Sequence, residues 1–397
     1  MQGPLTTTRD SRQIPAADRT SLLELARLFL KIGVAAFGGP PAHIAMMEDE
    51  VVSRRGWLTR EQFVDFLGAT NLIPGPNSTE MAIHVGRVQA GWPGLLVAGA
   101  SFILPSAVMV TALAWVYLRF GSLPQVAGVL YGVKPIVIAV IVQAVFKLAK
   151  TAVKSTSVGV VGALAVLATA FGADQLAVLA GGGFLTGLVY GLRSGKPTSP
   201  TSALLTGGTG LTGIAVGSGF VMPFSLTALF LVFLKIGAIL FGGGYVLVAL
   251  IRSNLVTHLG WITERQLLDA IAMGQVTPGP ISTTATFIGY LVRGWSGALV
   301  ATVAIFLPSF FLAGAVGALA GRIRQSKLAA AFIDGVNAGA VALMAEVGLM
   351  LGKATFVDGW AWGIGVVSAL LLLRFQVNAT WVILGGAALG LLLRGLH

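Results

Sequence analysis

The sequence contains one unit twice, and this duplication limits the possible folds more than any other feature. FLKIGVAAFGG at 29–39 returns as FLKIGAILFGG at 233–243, and PGPNST at 74–79 returns as PGPIST at 278–283, both 204 positions later. LPS at 104–106 returns at 307–309, after the loss of one residue. A nearly constant offset of this kind indicates an internal repeat, so the fold must contain two copies of one unit.

Both copies consist largely of apolar stretches. Hydrophobic residues make up 55% of the 397 residues and charged residues only 10%, whereas a soluble domain carries about 25% charged residues. This composition excludes a soluble enzyme, and the absence of cysteine excludes a disulfide scaffold. It predicts an all-α polytopic membrane protein with two homologous helical repeats. Six apolar stretches per copy lie near 22–39, 63–90, 93–118, 127–148, 157–172 and 175–192, and near 226–250, 267–292, 295–319, 329–351, 359–373 and 379–393.

These stretches predict four segments. Residues 1–20 are polar and form a predicted cytoplasmic tail, 21–192 form the first transmembrane repeat, and 225–397 form the second. The stretch 193–224 is rich in glycine, serine, threonine and proline and is predicted to link the repeats.

The basic residues predict that the repeats are inverted relative to each other. In the first copy they concentrate after the fourth apolar stretch, and in the second copy after the third. Because basic loops remain in the cytoplasm, equivalent loops are expected on opposite sides of the membrane. Inversion needs an odd number of crossings per copy, so either one stretch is not a full span or 203–221 adds one. The basic residues concerned are Lys147, Lys150 and Lys154, and Arg322, Arg324 and Lys327.

The repeated PGP motif predicts a helix broken near mid-membrane in each copy. Thr59-x-x-Gln62 and Thr263-x-x-Gln266 are capping boxes that begin a helix about eleven residues before each motif. Two prolines remove N–H donors, and the glycine between them allows a turn. The next half-helix would present free N–H groups to an oxyanion, from Asn77, Ser78 and Thr79 and from Ile281, Ser282 and Thr283. The alternative is a purely structural kink.

The repeated FGG motif could form a second backbone break that faces the PGP break, or an ordinary helix end. Lys31 and Lys235 lie six residues before each FGG, where a lysine is costly unless it is paired or faces a cavity. Lys31 could instead extend to the membrane surface. Glu80, directly after the first PGP motif, and Glu346 are candidates to carry a coupling proton.

Several other features have simpler interpretations. The glycines at 183, 187 and 191 predict a helix-packing face. The net charge of +11 follows from basic loops, so no nucleic-acid partner is expected. No HExxH, GxxxxGK[ST] or GxSxG signature occurs, and the four histidines are scattered. The sequence therefore predicts no enzyme activity, no metal site and no cofactor.

Taken together, these motifs resemble the chromate ion transporter (CHR) family, in its long two-domain form. The resemblance rests on FGGP and PGPNS in the first half, and on FGGGYVLVALI, GQVTPGPISTTATFIGY and IFLPSF in the second. It covers roughly 25–150 and 228–352. It implies export of chromate across the bacterial inner membrane, with sulfate as a related oxyanion, and halves of opposite orientation. The family motifs fall on Phe37, Gly38, Gly39, Pro74, Gly75 and Pro76, and on Phe241, Gly242, Gly243, Pro278, Gly279 and Pro280.

We therefore predict a multi-pass secondary transporter that exports chromate by alternating access and confers chromate resistance. The alternatives are a transporter of sulfate or another tetrahedral oxyanion and, less consistent with the motifs, an intramembrane enzyme. The expected partners are chromate or sulfate and the lipid bilayer, and a homodimer is left open as an alternative to a monomer. The predicted substrate-binding residues are Gly38, Gly39, Pro74, Gly75, Pro76, Asn77, Ser78, Thr79, Gly242, Gly243, Pro278, Gly279, Pro280, Ser282, Thr283, Lys31 and Lys235.

Overall fold

The structure is a computed structural model that describes residues 20–37, 39–70, 73–121, 123–194, 224–241 and 246–394. The side chains of residues 194, 315–325 and 394 are not described. Nearly all of the predicted tail and of the predicted linker lies outside these ranges. Within them the chain is all-α and contains no strand, which confirms the predicted fold class.

In the part of the chain that the structure describes, the first copy supplies seven helices. α2 continues into a π-helical turn at Asp49–Arg54. The bounds are α1 Leu22–Ala35, α2 Pro40–Glu48, α3 Arg60–Thr70, α4 Asn77–Phe120, α5 Pro124–Ala152, α6 Thr156–Ala170 and α7 Gln175–Ser194.

The second copy supplies the equivalent seven. α9 continues into a π-helical turn at Arg252–His258, and a 3₁₀ turn at Ile281–Thr283 precedes α11. The bounds are α8 Leu226–Ala238, α9 Leu247–Ile251, α10 Glu264–Val276, α11 Thr284–Gln325, α12 Lys327–Thr355, α13 Gly359–Leu373 and α14 Ala379–Arg394.

Among the described residues, five helical segments are long and apolar enough to cross a membrane. They are Asn77–Phe120, Pro124–Ala152, Gln175–Arg193, Ile281–Gly314 and Lys327–Thr355. The remaining apolar helices are shorter than eighteen residues. Together with the two matching halves of the sequence, these segments identify a multi-pass membrane protein built from two homologous helical repeats.

Each copy begins with successive helices that pack against each other as helical hairpins. The Lys31 ammonium lies 2.7 Å from the Glu50 carboxylate, so α1 and α2 run side by side with the FGG motif at their shared end. Phe66 of α3 stacks on His84 of α4 with ring centroids 5.8 Å apart, which places the PGP motif at the end of a second hairpin. The capping boxes that begin α3 and α10 form as predicted.

Helix α4 also bends sharply, between the apolar stretches predicted at 63–90 and 93–118. Ala90 and Gly91 leave helical geometry, and Gly91 has φ +63°. The two arms of α4, residues 77–89 and 92–120, then pack so closely that Gly86 meets the backbone of Gly94. The same bend recurs at Arg293 and Gly294 in α11.

The two copies interlock through glycine faces. Gly132 of α5 packs on Gly386 of α14, and the equivalent pair joins Gly335 of α12 to Gly182 of α7. A Cβ on Gly183 would meet the Phe332 ring of α12 at 2.7 Å, which confirms the predicted packing face on α7 at this position.

The equivalent long helices α5 and α12 contact each other in antiparallel orientation. A Cβ on Gly352 would lie 3.7 Å from Ile138, and a Cβ on Gly348 would lie 3.0 Å from Ile141. Residue numbers therefore rise along α5 as they fall along α12.

Candidate functional site

The ends of the hairpins from the two copies meet, and backbone hydrogen bonds join them. Gly75 in the first PGP motif donates its N–H to the carbonyl oxygen of Leu240, beside the second FGG motif, at 2.8 Å. Gly279 in the second PGP motif donates to the carbonyl oxygen of Ala36, beside the first FGG motif, at 3.2 Å. The duplicated motifs thus form two equivalent crossed contacts, each between one copy's PGP end and the other's FGG end.

Glycine is required at both PGP ends for steric reasons. Gly75 has φ +146° and Gly279 has φ +90°, values that residues with a Cβ rarely adopt. A Cβ on Gly75 would lie 2.5 Å from the Ser309 hydroxyl oxygen and would also collide with the Glu80 carboxyl group. A Cβ on Gly279 would lie 2.7 Å from the Ser106 Cβ.

A small cavity separates the two PGP ends. Its volume is about 10 Å³, room for roughly one water molecule. A tetrahedral oxyanion is larger than that, so the structure is closed around the hairpin ends. The lining residues are Pro40, His43, Pro76, Asn77, Ser78, Pro280, Ile281 and Ser282.

Two equivalent serines offer hydrogen-bonding capacity at this cavity. Ser78 and Ser282 are 204 positions apart, and their exposed fractions are 3% and 0%. Neither hydroxyl has a hydrogen-bond partner among the described residues. Because Ser78 lies in the first turn of α4 and Ser282 in the 3₁₀ turn before α11, both face the positive end of a helix dipole.

The threonines beside these serines differ from expectation. The N–H groups of Thr79 and Thr283 donate to the carbonyl oxygens of Pro76 and Pro280, at 2.8 and 3.0 Å. The prediction that these two N–H groups are free is therefore wrong, because the turn after each proline uses them itself. The Thr283 hydroxyl also donates to the Pro280 carbonyl and lies 2.9 Å from the Ser106 hydroxyl.

Glu80 makes the two copies unequal. Its side chain is fully buried, its carboxyl group lies against Gly75 and Ser309, and it forms no ion pair within the described part of the chain. Its counterpart Thr284 instead donates its hydroxyl to the carbonyl oxygen of Ile281 at 2.8 Å. An ionised Glu80 would therefore be a buried charge without a counter-charge, which is costly.

The predicted lysines do not line the cavity. Lys31 is paired with Glu50, and the Lys235 ammonium donates to the Asn254 side-chain oxygen at 3.4 Å. Glu346 is half-buried on α12 and does not line the cavity either. Gly39, with φ +76°, directly precedes α2. Pro74 and Pro278 directly precede Gly75 and Gly279 of the two PGP motifs. The predicted site residues Gly38, Gly242 and Gly243 lie outside the described residues.

Three further residues at this site were not predicted from the sequence. His43 is fully buried and lines the cavity, with Nε2 3.1 Å from the Ala36 carbonyl oxygen. Ser106 and Ser309 pack against the glycines of the PGP motif in the opposite copy. The repeated LPS motif was the available signal for these two serines, whereas His43 has Leu247 at the equivalent position and gave none.

Comparison with known proteins identifies the family. The sequence model of the family described as "Chromate transporter" matches residues 23–188 and 227–391. The chain is 32% identical to a chromate transport protein of Cupriavidus metallidurans, over 98% of this chain and 96% of that protein. It is 31% identical to a chromate transport protein of Pseudomonas aeruginosa, over 92% and 91% of the two chains. No solved structure gives a significant match. By the matches in both of its halves, the chain belongs to the chromate transporter family.

Proposed function

We propose that this protein exports chromate from the cytoplasm across the bacterial inner membrane and thereby confers chromate resistance. The observation that carries the proposal is the pair of unpartnered serine hydroxyls, Ser78 and Ser282, which face one cavity from two helix N-termini. Relatives named as chromate transport proteins along nearly their whole length support the choice of substrate.

The chemistry of this cavity suits a divalent oxyanion. Two helix N-termini supply partial positive charge, and hydroxyl and N–H groups donate hydrogen bonds. The N–H groups of Ser78 and Ser282 have no acceptor among the described residues. Because none of the described residues that line the cavity is a lysine or an arginine, binding would rely on dipoles rather than on ion pairs, which favours release as well as capture.

Transport would proceed by alternating access between inverted repeats. The antiparallel contact of α5 with α12 supports inversion, because equivalent helices run in the same direction when repeats share one orientation. The bonds Gly75–Leu240 and Gly279–Ala36 would close the two access paths, one bond for each path. Breaking one bond while keeping the other would open the cavity to one side of the membrane.

The membrane potential favours this direction of transport. An inside-negative potential is worth about 2.3 kcal/mol per charge per 100 mV, so it drives a dianion outward. Glu80 would carry a coupling proton, since its buried carboxyl group lies beside Gly75 and has no cationic partner in the described chain. Glu346 is a second coupling candidate, although it does not line the cavity.

Everted membrane vesicles test the proposal. Vesicles that contain the protein should accumulate chromate, and the Ser78→Ala and Ser282→Ala variants should lose uptake. Ser296→Ala is the matched control, because Ser296 is exposed and bonds only to the Arg293 carbonyl. The proposal fails if wild-type vesicles take up no chromate under any ion gradient. Excess sulfate in the assay tests the alternative substrate, since sulfate shares the charge and shape of chromate.

A further inference from the structure

A second and larger cavity lies between α6, α7 and α12. The residues that line it are distant in sequence from the PGP motifs. Its volume is about 310 Å³, within the usual range of ligand pockets. Two cationic side chains line it, Lys154 just before α6 and Arg193 at the end of α7. Its other polar lining comes from Ser155, Ser157, Thr186, Tyr190 and Asp334.

The charges in this cavity favour an anion. Lys154 lies 2.6 Å from the Asp334 carboxylate, and Arg193 donates to the Ser157 hydroxyl at 2.9 Å. One acidic and two basic side chains leave a net charge of +1. The Lys154 side chain is 63% exposed, so an anion can reach it without displacing protein groups. Since Arg193 has only a neutral partner among the described residues, its positive charge is not compensated.

Apolar surface flanks the cavity on the outward faces of α6 and α7. Val160 and Leu164 on α6, and Leu188 and Leu192 on α7, have exposed fractions of 55%, 50%, 47% and 75%. In a membrane protein such exposed aliphatic side chains contact acyl chains. A phospholipid could therefore place its phosphate near Arg193 while its tails follow these helices.

At the equivalent place in the second copy, the counterparts of Lys154 and Asp334 are uncharged. With the offset of 203, Lys154 corresponds to Val357, Ser157 to Trp360 and Asp334 to Tyr131. There the Tyr131 hydroxyl donates to the Asp358 carboxylate at 2.6 Å. In the proposed inverted topology the two places lie on opposite sides of the membrane, so the Lys154–Asp334 ion pair has no equivalent at the place on the other side.

The basic cavity lies on the side that the positive-inside rule assigns to the cytoplasm. Lys147, Lys150 and Lys154 lie near the end of α5, and Lys327 begins α12 on the same side. Basic pockets between helices on this side of a membrane suit anionic lipid head groups. We propose that the cavity lined by Lys154, Arg193 and Ser157 binds the phosphate of an anionic phospholipid from the cytoplasmic leaflet.

Lipid retention measures this binding directly. The intact protein is reconstituted into nanodiscs of mixed phosphatidylglycerol and phosphatidylcholine, and retained lipids are counted by native mass spectrometry. We expect selective retention of phosphatidylglycerol, reduced about fivefold by Arg193→Gln or Lys154→Gln, since each cation near the surface contributes about 1 kcal/mol. Asp334→Asn should increase retention, because it frees Lys154 from its counter-charge, and a gain cannot arise from misfolding.

Lys150→Gln is the matched control, because Lys150 lies on the same side of the protein but does not line the cavity. Equal losses in Lys150→Gln and Arg193→Gln would overturn the proposal, since they would indicate general surface charge. Equal retention of phosphatidylcholine would also overturn it. A third arm adds inorganic phosphate to the protein in neutral detergent. If phosphate alone stabilises the wild type but not Arg193→Gln, the site binds a soluble anion and the lipid assignment is wrong.

Discussion

Replacing Gly75 with alanine tests whether the contact between hairpin ends is part of the transport cycle. The substitution has two separate costs. Alanine at φ +146°, in a region essentially restricted to glycine, strains the backbone by about 1–3 kcal/mol. Its Cβ would also lie 2.5 Å from the Ser309 hydroxyl oxygen and collide with the Glu80 carboxyl group. Overpacking of this kind costs about 1–3 kcal/mol, and it acts only when the hairpin ends are closed.

Gly56→Ala separates the two costs. Gly56 has φ +61° in the connection between the two hairpins, and a Cβ there has nothing within 4 Å. Gly56→Ala therefore carries backbone strain from a positive φ, of about 1–2 kcal/mol, without the collision. The collision should raise the free energy of the closed state of Gly75→Ala by about 1–3 kcal/mol relative to Gly56→Ala. This corresponds to roughly a 5- to 150-fold smaller population of the closed state in Gly75→Ala.

Chromate uptake by everted vesicles, corrected for the amount of folded protein, measures this difference. We expect Gly75→Ala to transport about 5- to 150-fold more slowly than Gly56→Ala, by the same overpacking argument. Adding Ser309→Ala to Gly75→Ala should restore part of the rate, because it removes one of the two colliding groups. Equal rates for Gly75→Ala and Gly56→Ala would refute the reasoning, since the closed contact would then be irrelevant to transport.

Three further predictions concern stability, each measured by thermal unfolding in detergent. The hydrogen bond from Lys31 lowers the pKa of Glu50, so the ionised carboxylate stabilises the fold at neutral pH. The higher unfolding temperature of the wild type relative to Glu50→Gln should therefore disappear as the pH falls through that lowered pKa. A difference in unfolding temperature that does not change with pH would contradict this. Asp269 pairs with Lys134 at 2.9 Å and is buried, so Asp269→Asn should cost about 3–5 kcal/mol, and adding Lys134→Met should recover much of it. Gly132→Ala should destabilise the fold by about 1–3 kcal/mol, because the added methyl group would overlap the backbone of α14. Gly181→Ala should stabilise the fold by about 0.5–1 kcal/mol, because a Cβ there has nothing within 4 Å and alanine favours the helix. Equal effects of the two substitutions would show that packing is not decisive.

The long apolar helices were predictable from local sequence. Their stretches are interrupted by polar loops, and the capping boxes before α3 and α10 are local signals that form as expected. The break between α3 and α4 at the PGP motif was also predictable, because two prolines and a glycine interrupt a helix. The break in α4 coincides with the gap between the stretches predicted at 63–90 and 93–118, but the close packing of residues 77–89 against 92–120 was not predictable, since it depends on contacts between the two arms.

The candidate site was only partly predictable. Ser78 and Ser282 were expected at the cavity and line it, because helix N-termini follow directly from the two prolines. Lys31 was expected there because a lysine within a span needs a partner. It has Glu50 instead, a residue nineteen positions away that the hairpin brings alongside. Partners of this kind depend on chain reversal, which periodicity does not predict.

By itself, the sequence determined the class of protein, its two-fold duplication and the family to which it belongs. Composition and repeated spacing are properties of the amino-acid sequence alone, so they are recognised without the tertiary structure. Only the tertiary structure decided that the PGP end of each copy meets the FGG end of the other, through Gly75 with Leu240 and Gly279 with Ala36. It also placed His43 at the cavity and Glu80 against Ser309. The physical reason is that these contacts join residues from different hairpins, and their proximity depends on how both copies pack together.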